Sequence, residues 1–207
     1  MHIKRLGLVS YLDSQVAMQQ YIESVDSYSD DQIWLLEHLR VYTQGVACEM
    51  QTLLPSDIPI VKSDRGGQIT YHGPGQIIMY VMINLKRHKL GIKSLVNMLE
   101  QSVIDLLEQY QIQAERKEGA PGVYVEGAKI AALGLRVKKG FSYHGLSLNV
   151  DMDLSPFENI DPCGYEGLQV TQLSDLVDQV SVSIVQQELL DSFKRRLVKT
   201  AKVSAAD

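Results

Sequence analysis

Apolar residues recur along this chain with two periods, and the places where one gives way to the other mark out its elements. The longest apolar run, residues 77–85 (IIMYVMINL), is interrupted only by Asn84 and predicts a strand buried on both faces. The clearest helix lies between Gly91 and Tyr110. Ile92, Leu95, Val96, Leu99, Val103, Leu106, Leu107 and Tyr110 form one stripe there, with Glu, Gln and Lys opposite. Residues 182–197 predict the last helix, with a loose tail from about residue 198 onward. A shorter helix is expected near the start, with Asp13 or Ser14 as N-cap and Val16, Gln20, Tyr21 and Val25 at helical spacing. Strand-like runs occupy residues 6–11, 33–38, 41–43 and 58–61. Residues 122–126 and 129–137 read as strands paired across Gly127, and residues 138–140 (KKG) turn a second hairpin into residues 141–150.

If that second hairpin turns at Lys139 and Gly140, Lys129 lies opposite Asn149 and Gly134 opposite His144. Helices and strands interleave, but hairpins dominate the middle. The pattern therefore favours an α+β fold, a mixed sheet flanked by helices, over a doubly wound parallel sheet. The 207 residues suit one domain spanning 1–207, without repeats or linkers.

Composition narrows the classes of function. The apolar fraction of 45% and charged fraction of 22% are those of a globular protein, and the run at 77–85 is too short to cross a bilayer. Two positive charges near the start lack an apolar stretch behind them, so a cytoplasmic protein without a secretory signal is expected. Two cysteines make a disulfide framework improbable, and the five histidines are too scattered for a structural zinc site. A net charge of −5 argues against nucleic-acid binding. The basic runs at residues 86–89, at Arg136, Lys138 and Lys139, and at Arg116 and Lys117 could still steer an acidic partner, or serve only as solvated turns.

Three stretches carry candidate chemistry. Residues 65–76 (RGGQITYHGPGQ) place four glycines among an arginine, a threonine, a tyrosine and a histidine. Such a loop lets backbone approach a ligand while its side chains place hydrogen bonds. Neither a G-x-x-x-x-G-K-[ST] loop nor a G-x-G-x-x-G ahead of a helix is present. Cys163, in residues 161–167 (DPCGYEG), has proline on one side and glycine on the other. That framing suits a thiol held beside a cleft, although a lone cysteine is more often a small buried hydrophobe. Cys48 lacks the framing and reads as structural. Lys129 opens an otherwise apolar strand, either as a snorkelling edge residue or as something more.

Taken together, these segments resemble the lipoyl(octanoyl) transferases. The resemblance rests on RGGQITYHGPGQ at 65–76, GVYV at 122–125, KIAALGLR at 129–136, YHGLSLN at 143–149 and DPCG at 161–164. Glu37-His38 and Thr43-Gln44-Gly45 are similar to an early segment of the family. The family implies a fold like the catalytic domains of biotin and lipoate protein ligases. It implies an acyl-enzyme on Cys163, assisted by Lys129. It also implies acyl-substrate contacts from Arg65, Gly66, Gly67, Gln68, Ile69, Thr70, Tyr71 and His72, from Ala132, Leu133 and Gly134, and from Gly145, Leu146 and Ser147. The donor implied is octanoyl-acyl carrier protein. The acceptors are lipoyl domains of 2-oxoacid dehydrogenase E2 subunits and the glycine cleavage H protein. No ATP or metal cofactor, nucleic acid or membrane is implied, and a monomer is expected.

The chain departs from the family pattern at Asp161, where asparagine is common, at Ala132, where serine is common, and at Arg40, where proline is common. A carboxylate at Asp161 would oppose thiolate formation at Cys163. His72 and His144 are alternatives to Lys129 as the base that frees the acceptor amine. An acyl channel would draw on Leu133, Leu135, Leu146, Tyr71 and the glycines. Two rivals remain: an ATP-dependent lipoate–protein ligase, which needs no nucleophilic cysteine, and a silent scaffold that binds the same partners.

Overall fold

The computed structural model describes residues 1–48, 57–160 and 169–203. The apolar run forms β6 (Gln76–Met82), every residue of which is buried. It is hydrogen-bonded on one side to β2 (Gln32–His38) and on the other to β10 (Phe141–Asn149), both antiparallel. Outward from β10 lie β9 (Ala128–Lys138), β8 (Ala120–Val125) and β7 (Glu115–Lys117); outward from β2 lies β1 (His2–Val9), the one parallel neighbour. A smaller sheet joins β3 (Val41–Gln44) to β4 (Ile60–Lys62) and β5 (Ile69–His72). The fold is α+β, with a mixed sheet flanked by helices.

Alternation along the central strands explains the two faces. Ile33, Leu35, Ile77, Met79 and Val81 point to one side, where α2 (Ile92–Gln109) and α3 (Val182–Val203) cover them with Leu95, Leu99, Val103, Leu189 and Phe193. Trp34, Leu36, Ile78, Tyr80 and Met82 point to the other, against Met18 and Ile22 of α1 (Tyr11–Ser24). A third cluster under the small sheet joins Tyr42, Ile69 and Tyr71 to Phe157 and Ile160. The hairpin turns are as short as the sequence suggests. Glu126–Gly127 and Lys139–Gly140 are two-residue connections with both residues at positive φ, which matches the twist of the strands they join.

Three expectations are corrected. The first strand ends at Val9, and α1 starts at Tyr11 after Ser10, ahead of the expected caps Asp13 and Ser14. Its buried face is Tyr11, Ser14, Gln15, Met18 and Ile22, while Val16 is exposed. The β9–β10 register is one residue off: Lys138 pairs with Phe141, so Gly134 faces Gly145 and His144 faces Leu135. A two-residue turn fixes that pairing, and a slip of one exchanges the faces of the strand. The last helix continues past Leu197 to Val203, so the chain beyond residue 198 is not simply a loose tail.

Candidate active site

On the α1 side of the sheet a cleft opens over β6, β9 and β10. Arg65, Gly67, Gln68, Ile69, Thr70 and His72 wall it on one side, and Ala132, Leu133, Gly134, Gly145, Leu146 and Ser147 floor it. Tyr11, Ile78, Tyr80 and His144 complete the lining. Its volume is about 530 Å³ with the open mouth included. Gly145 is required by close packing: a Cβ there would sit 2.0 Å from the Met79 carbonyl oxygen on the neighbouring strand.

A smaller recess continues the cleft, sharing Thr70, Ala132 and Ser147 with it and adding Lys129, Asn149, Phe157 and Val170. Lys129 reaches it through a β-bulge. One step along β8, from Val123 to Tyr124, spans two along β9, from Ala131 to Lys129. Ile130, the extra residue, joins the core with Ala131, and Lys129 turns toward the recess. The lysine is 4% exposed. Its Nζ donates to the Pro121 carbonyl at 3.3 Å and lies 5.3 Å from the Tyr124 ring centroid. Gly122, beside that side chain, donates its N–H to the buried Glu100 carboxylate on α2 at 3.0 Å. The backbone of Lys129 is also anchored: its N–H donates to Gln169 O at 2.8 Å, and Thr171 N–H donates to its carbonyl at 3.0 Å.

A directional chain of hydrogen bonds links the cleft to that anchor. Arg65 donates through Nε (3.1 Å) and a terminal nitrogen (2.8 Å) to Thr43 Oγ1, which donates to His72 Nε2 at 3.3 Å. His72 Nδ1–H donates to Gln76 Oε1 at 2.7 Å, and Gln76 Nε2 donates to Asn149 Oδ1 at 2.9 Å. Asn149 Nδ2 then donates to the Thr171 carbonyl at 3.0 Å. Because guanidinium and amide nitrogens only donate, each member's polarity is fixed.

Burial keeps the histidines of this region neutral. Desolvation lowers His38 to a pKa of about 4, drives His72 well below its ordinary value, and lowers His144 against the opposing pull of Asp64. Tyr80 donates its hydroxyl to His38 Nε2 at 2.7 Å, leaving Nδ1–H for the Val9 carbonyl at 3.2 Å. Tyr11 stacks on His72 with ring centroids 5.9 Å apart and donates to Ser63 Oγ at 2.6 Å.

Of the residues the sequence nominates, twelve line the cleft; Gly66 and Tyr71 do not. Gly66 lets the loop's N–H reach the Leu135 carbonyl at 3.3 Å, and Tyr71 packs between Tyr42 and Phe157. Leu133, Leu135 and Leu146, offered as channel residues, all pack with the main core; Leu133 and Leu146 also line the cleft, and Leu135 does not. Cys163 and Asp161 lie outside the described residues; Lys129 lies in the recess. Cys48 is half-buried against the Tyr42–Tyr71 cluster, in keeping with a structural reading. The basic runs are partly consumed internally. Arg87 and His88 hold Asp31, Arg116 holds Glu100, and Lys138 and Lys139 hold Glu23. The sequence reading missed Tyr11, Tyr80 and Asp64. Tyr11 falls at the end of the expected strand 6–11, and Tyr80 sits inside the apolar run 77–85, where nothing marks it as polar.

Among the described residues, no cluster of three His, Cys, Asp or Glu side chains could hold a metal, and no helix is long and apolar enough to cross a membrane. Residues 11–194 match the family model of the lipoyl protein ligase A/B catalytic domain. The octanoyltransferase of Erwinia tasmaniensis is 50% identical over 199 residues, covering 96% of this chain and 89% of that protein. That of Azoarcus sp. is 54% identical over 197 residues, covering 94% and 87%. Among solved structures, lipoate-protein ligase A bound with ATP superposes with a TM-score of 0.79 at 17% identity, covering 95% of this chain and 85% of that one. Biotin protein ligase from Aquifex aeolicus in complex with biotin and ATP gives 0.64 at 15% identity, covering 97% and 72%. Those two likenesses establish the shared fold. The sequence relationships establish more: the chain belongs to the lipoyl protein ligase A/B catalytic-domain family, and within it to the octanoyltransferases, enzymes of acyl transfer.

Proposed function

We propose that this enzyme takes an octanoyl group from an acyl carrier protein thioester onto Cys163 and passes it to a lysine amine of a lipoyl domain, without ATP or a metal. The observation that carries the reading is Lys129, a buried ammonium-bearing side chain at the inner end of a cleft with an apolar floor. A bulge, a glycine and a buried glutamate hold it there. Its backbone is hydrogen-bonded to residues 169 and 171, which follow Cys163 closely in the chain.

The chemistry needs such a group twice. A free thiol with a pKa of about 8.5 is only about 3% thiolate at pH 7, and a neighbouring cation favours the anion that attacks the thioester carbonyl. The carbon–sulfur bond to the carrier breaks, its thiol leaves with a proton, and the acyl group rests on Cys163. The acceptor lysine, with a reference pKa of about 10.4, is neutral in fewer than about one molecule in a thousand at pH 7. Lys129, having given its proton to the departing carrier thiolate, takes one from that amine as it attacks; the amide forms, the carbon–sulfur bond to Cys163 breaks, and the Cys163 thiolate leaves beside the restored ammonium. His72 and His144 are less suited: His72 already uses both ring nitrogens within the protein, and His144 lines the cleft outside the recess that holds Lys129.

The test is the intact mass of the enzyme after mixing with octanoyl-carrier protein in the absence of ATP. An octanoyl adduct that vanishes in Cys163→Ser and persists in Cys48→Ser is expected. No adduct, with transfer to a lipoyl domain only when ATP and free octanoate are supplied, would mean a ligase.

A further inference from the structure

His144 adopts φ 58° in the middle of β10, a region that residues other than glycine seldom occupy in a strand. Alternation would send its side chain toward Leu146 and Leu148, against α2 and α3. The imidazole lies on the opposite face, stacked on Tyr143 with centroids 5.0 Å apart and edge-on to Tyr80 at 6.0 Å, and His144 is one of the residues that line the cleft. Its Nε2 meets Asp64 Oδ1 at 2.8 Å, and Asp64 Oδ2 accepts the Tyr143 hydroxyl at 2.7 Å. A carboxylate only accepts, so Nε2 carries the hydrogen and Nδ1 of the neutral ring is a bare lone pair. That atom is buried and has no hydrogen-bond partner among the described residues. Buried acceptors are nearly always satisfied, and this one is held in place by an unusual backbone conformation and a carboxylate.

We propose that His144 Nδ1 anchors a polar subsite at the end of the acyl cleft remote from Lys129, which takes a hydrogen-bond donor near the far end of a medium-length acyl chain, a terminal hydroxyl being the simplest. The inference rests on the cleft receiving an acyl group, as proposed above. Ser147 marks the junction with the Lys129 recess, and His144 lies three residues farther along β10, about 10 Å at the rise of a strand. An extended eight-carbon chain, at ~1.5 Å per bond before zigzag shortening, reaches about that far. A plain alkyl terminus brings a methyl group to the lone pair; a hydroxyl brings the missing proton.

Two carrier-protein thioesters of equal length decide the matter: 8-hydroxyoctanoyl and nonanoyl differ only by a hydroxyl in place of a methyl. On the wild-type enzyme, kcat/KM for the hydroxylated donor is expected to exceed that for nonanoyl about tenfold, the usual effect of leaving a buried acceptor unpaired. His144→Phe, which removes both nitrogens, should bring the ratio to one or below. His144→Asn, which tolerates the same φ and keeps an acceptor, should restore part of the preference. Each ratio is taken within one protein, so a loss of folded enzyme cancels, and the wild-type ratio alone decides if a variant does not fold. A wild-type ratio of one or less, or an unchanged ratio in His144→Phe, with octanoyl still transferred, overturns the subsite and leaves the proposed function standing. No octanoyl transfer by the wild type overturns the proposed function and the subsite together.

Discussion

Gly122 and Lys129 fit against each other with no space left over: a Cβ on Gly122 would lie 3.0 Å from Lys129 Cε and 2.8 Å from the Ala131 carbonyl oxygen. Gly122 also has φ 148°, which an L side chain rarely adopts. The glycine thus fixes the path by which the lysine stem reaches the recess, while its N–H ties that path to Glu100 on α2. Gly122→Ala is expected to push the ammonium out of position, and misplacement of a reacting group by about 1 Å typically costs about 10²-fold in rate. Steady-state kinetics should show the loss in kcat, with KM for the carrier protein little changed. A variant that transfers at the wild-type rate would separate Lys129 placement from catalysis.

Lys129→Met keeps most of the stem and removes the charge and the exchangeable proton. Transfer is expected to fall by about 10²–10⁴, the usual contribution of a positioned acid–base group. If the ammonium also favours the Cys163 thiolate, alkylation of that thiol by iodoacetamide at pH 7 should slow in parallel. Alkylation at the wild-type rate beside a collapsed transfer rate would confine the lysine to the aminolysis half of the reaction.

The parts of the fold most legible in the sequence are those where packing and local chemistry agree. Leu95, Leu99, Val103, Leu106 and Leu107 fall on one helical face and are all fully buried, and Lys139-Gly140 makes the tight turn its residues favour. The start of α1 was not legible, because its inward face carries Tyr11, Ser14 and Gln15, polar residues that serve the site. Gln15 donates to the Lys62 carbonyl, and Tyr11 lines the cleft. A hydrophobic stripe cannot reveal a face built that way. The pairing of β9 with β10 slipped by one because the turn holds two residues, Lys139 and Gly140, and strict alternation of side chains also fails at Lys129 and His144, where a bulge and a left-handed residue redirect them. Local rules break most readily where function imposes a different demand.

Asn149 joins the cleft's hydrogen-bond chain to Thr171, whose N–H in turn holds the carbonyl of Lys129. Asn149→Leu preserves volume but takes from the buried Gln76 amide the shorter of its two acceptors, leaving only the Tyr71 carbonyl at 3.4 Å. The expected cost is ~1–3 kcal/mol, or a fall in Tm of roughly 2–10 °C for a chain of this size. Residues 169–171 should loosen at the same time. Hydrogen exchange at the Thr171 amide is therefore expected to quicken in the variant well below its melting transition. Unchanged protection there would show that the Lys129 backbone holds this segment without help from the chain.

Stability should fall on mild acidification, and His38 dictates the direction. It is fully buried and its folded-state pKa is lowered to about 4, against about 6.5 in the unfolded chain. Between those values the unfolded state binds a proton that the folded state refuses, so stability rises with pH across that window and is lost as pH falls through it. One such group accounts for about 3 kcal/mol between pH 7 and pH 4. His72 and His144 are shifted the same way and steepen the loss. Asp64 does not offset them there. Its folded pKa is depressed, so its contribution is present above its unfolded pKa of about 3.9 and fades only at more acidic pH. Urea unfolding at a series of pH values should show a decline between about pH 6.5 and pH 4. In His38→Asn the slope should be shallower by close to one proton, whatever the variant's absolute stability. An identical slope would mean that His38 titrates normally, and that its hydrogen bonds to Tyr80 and Val9 admit the protonated ring.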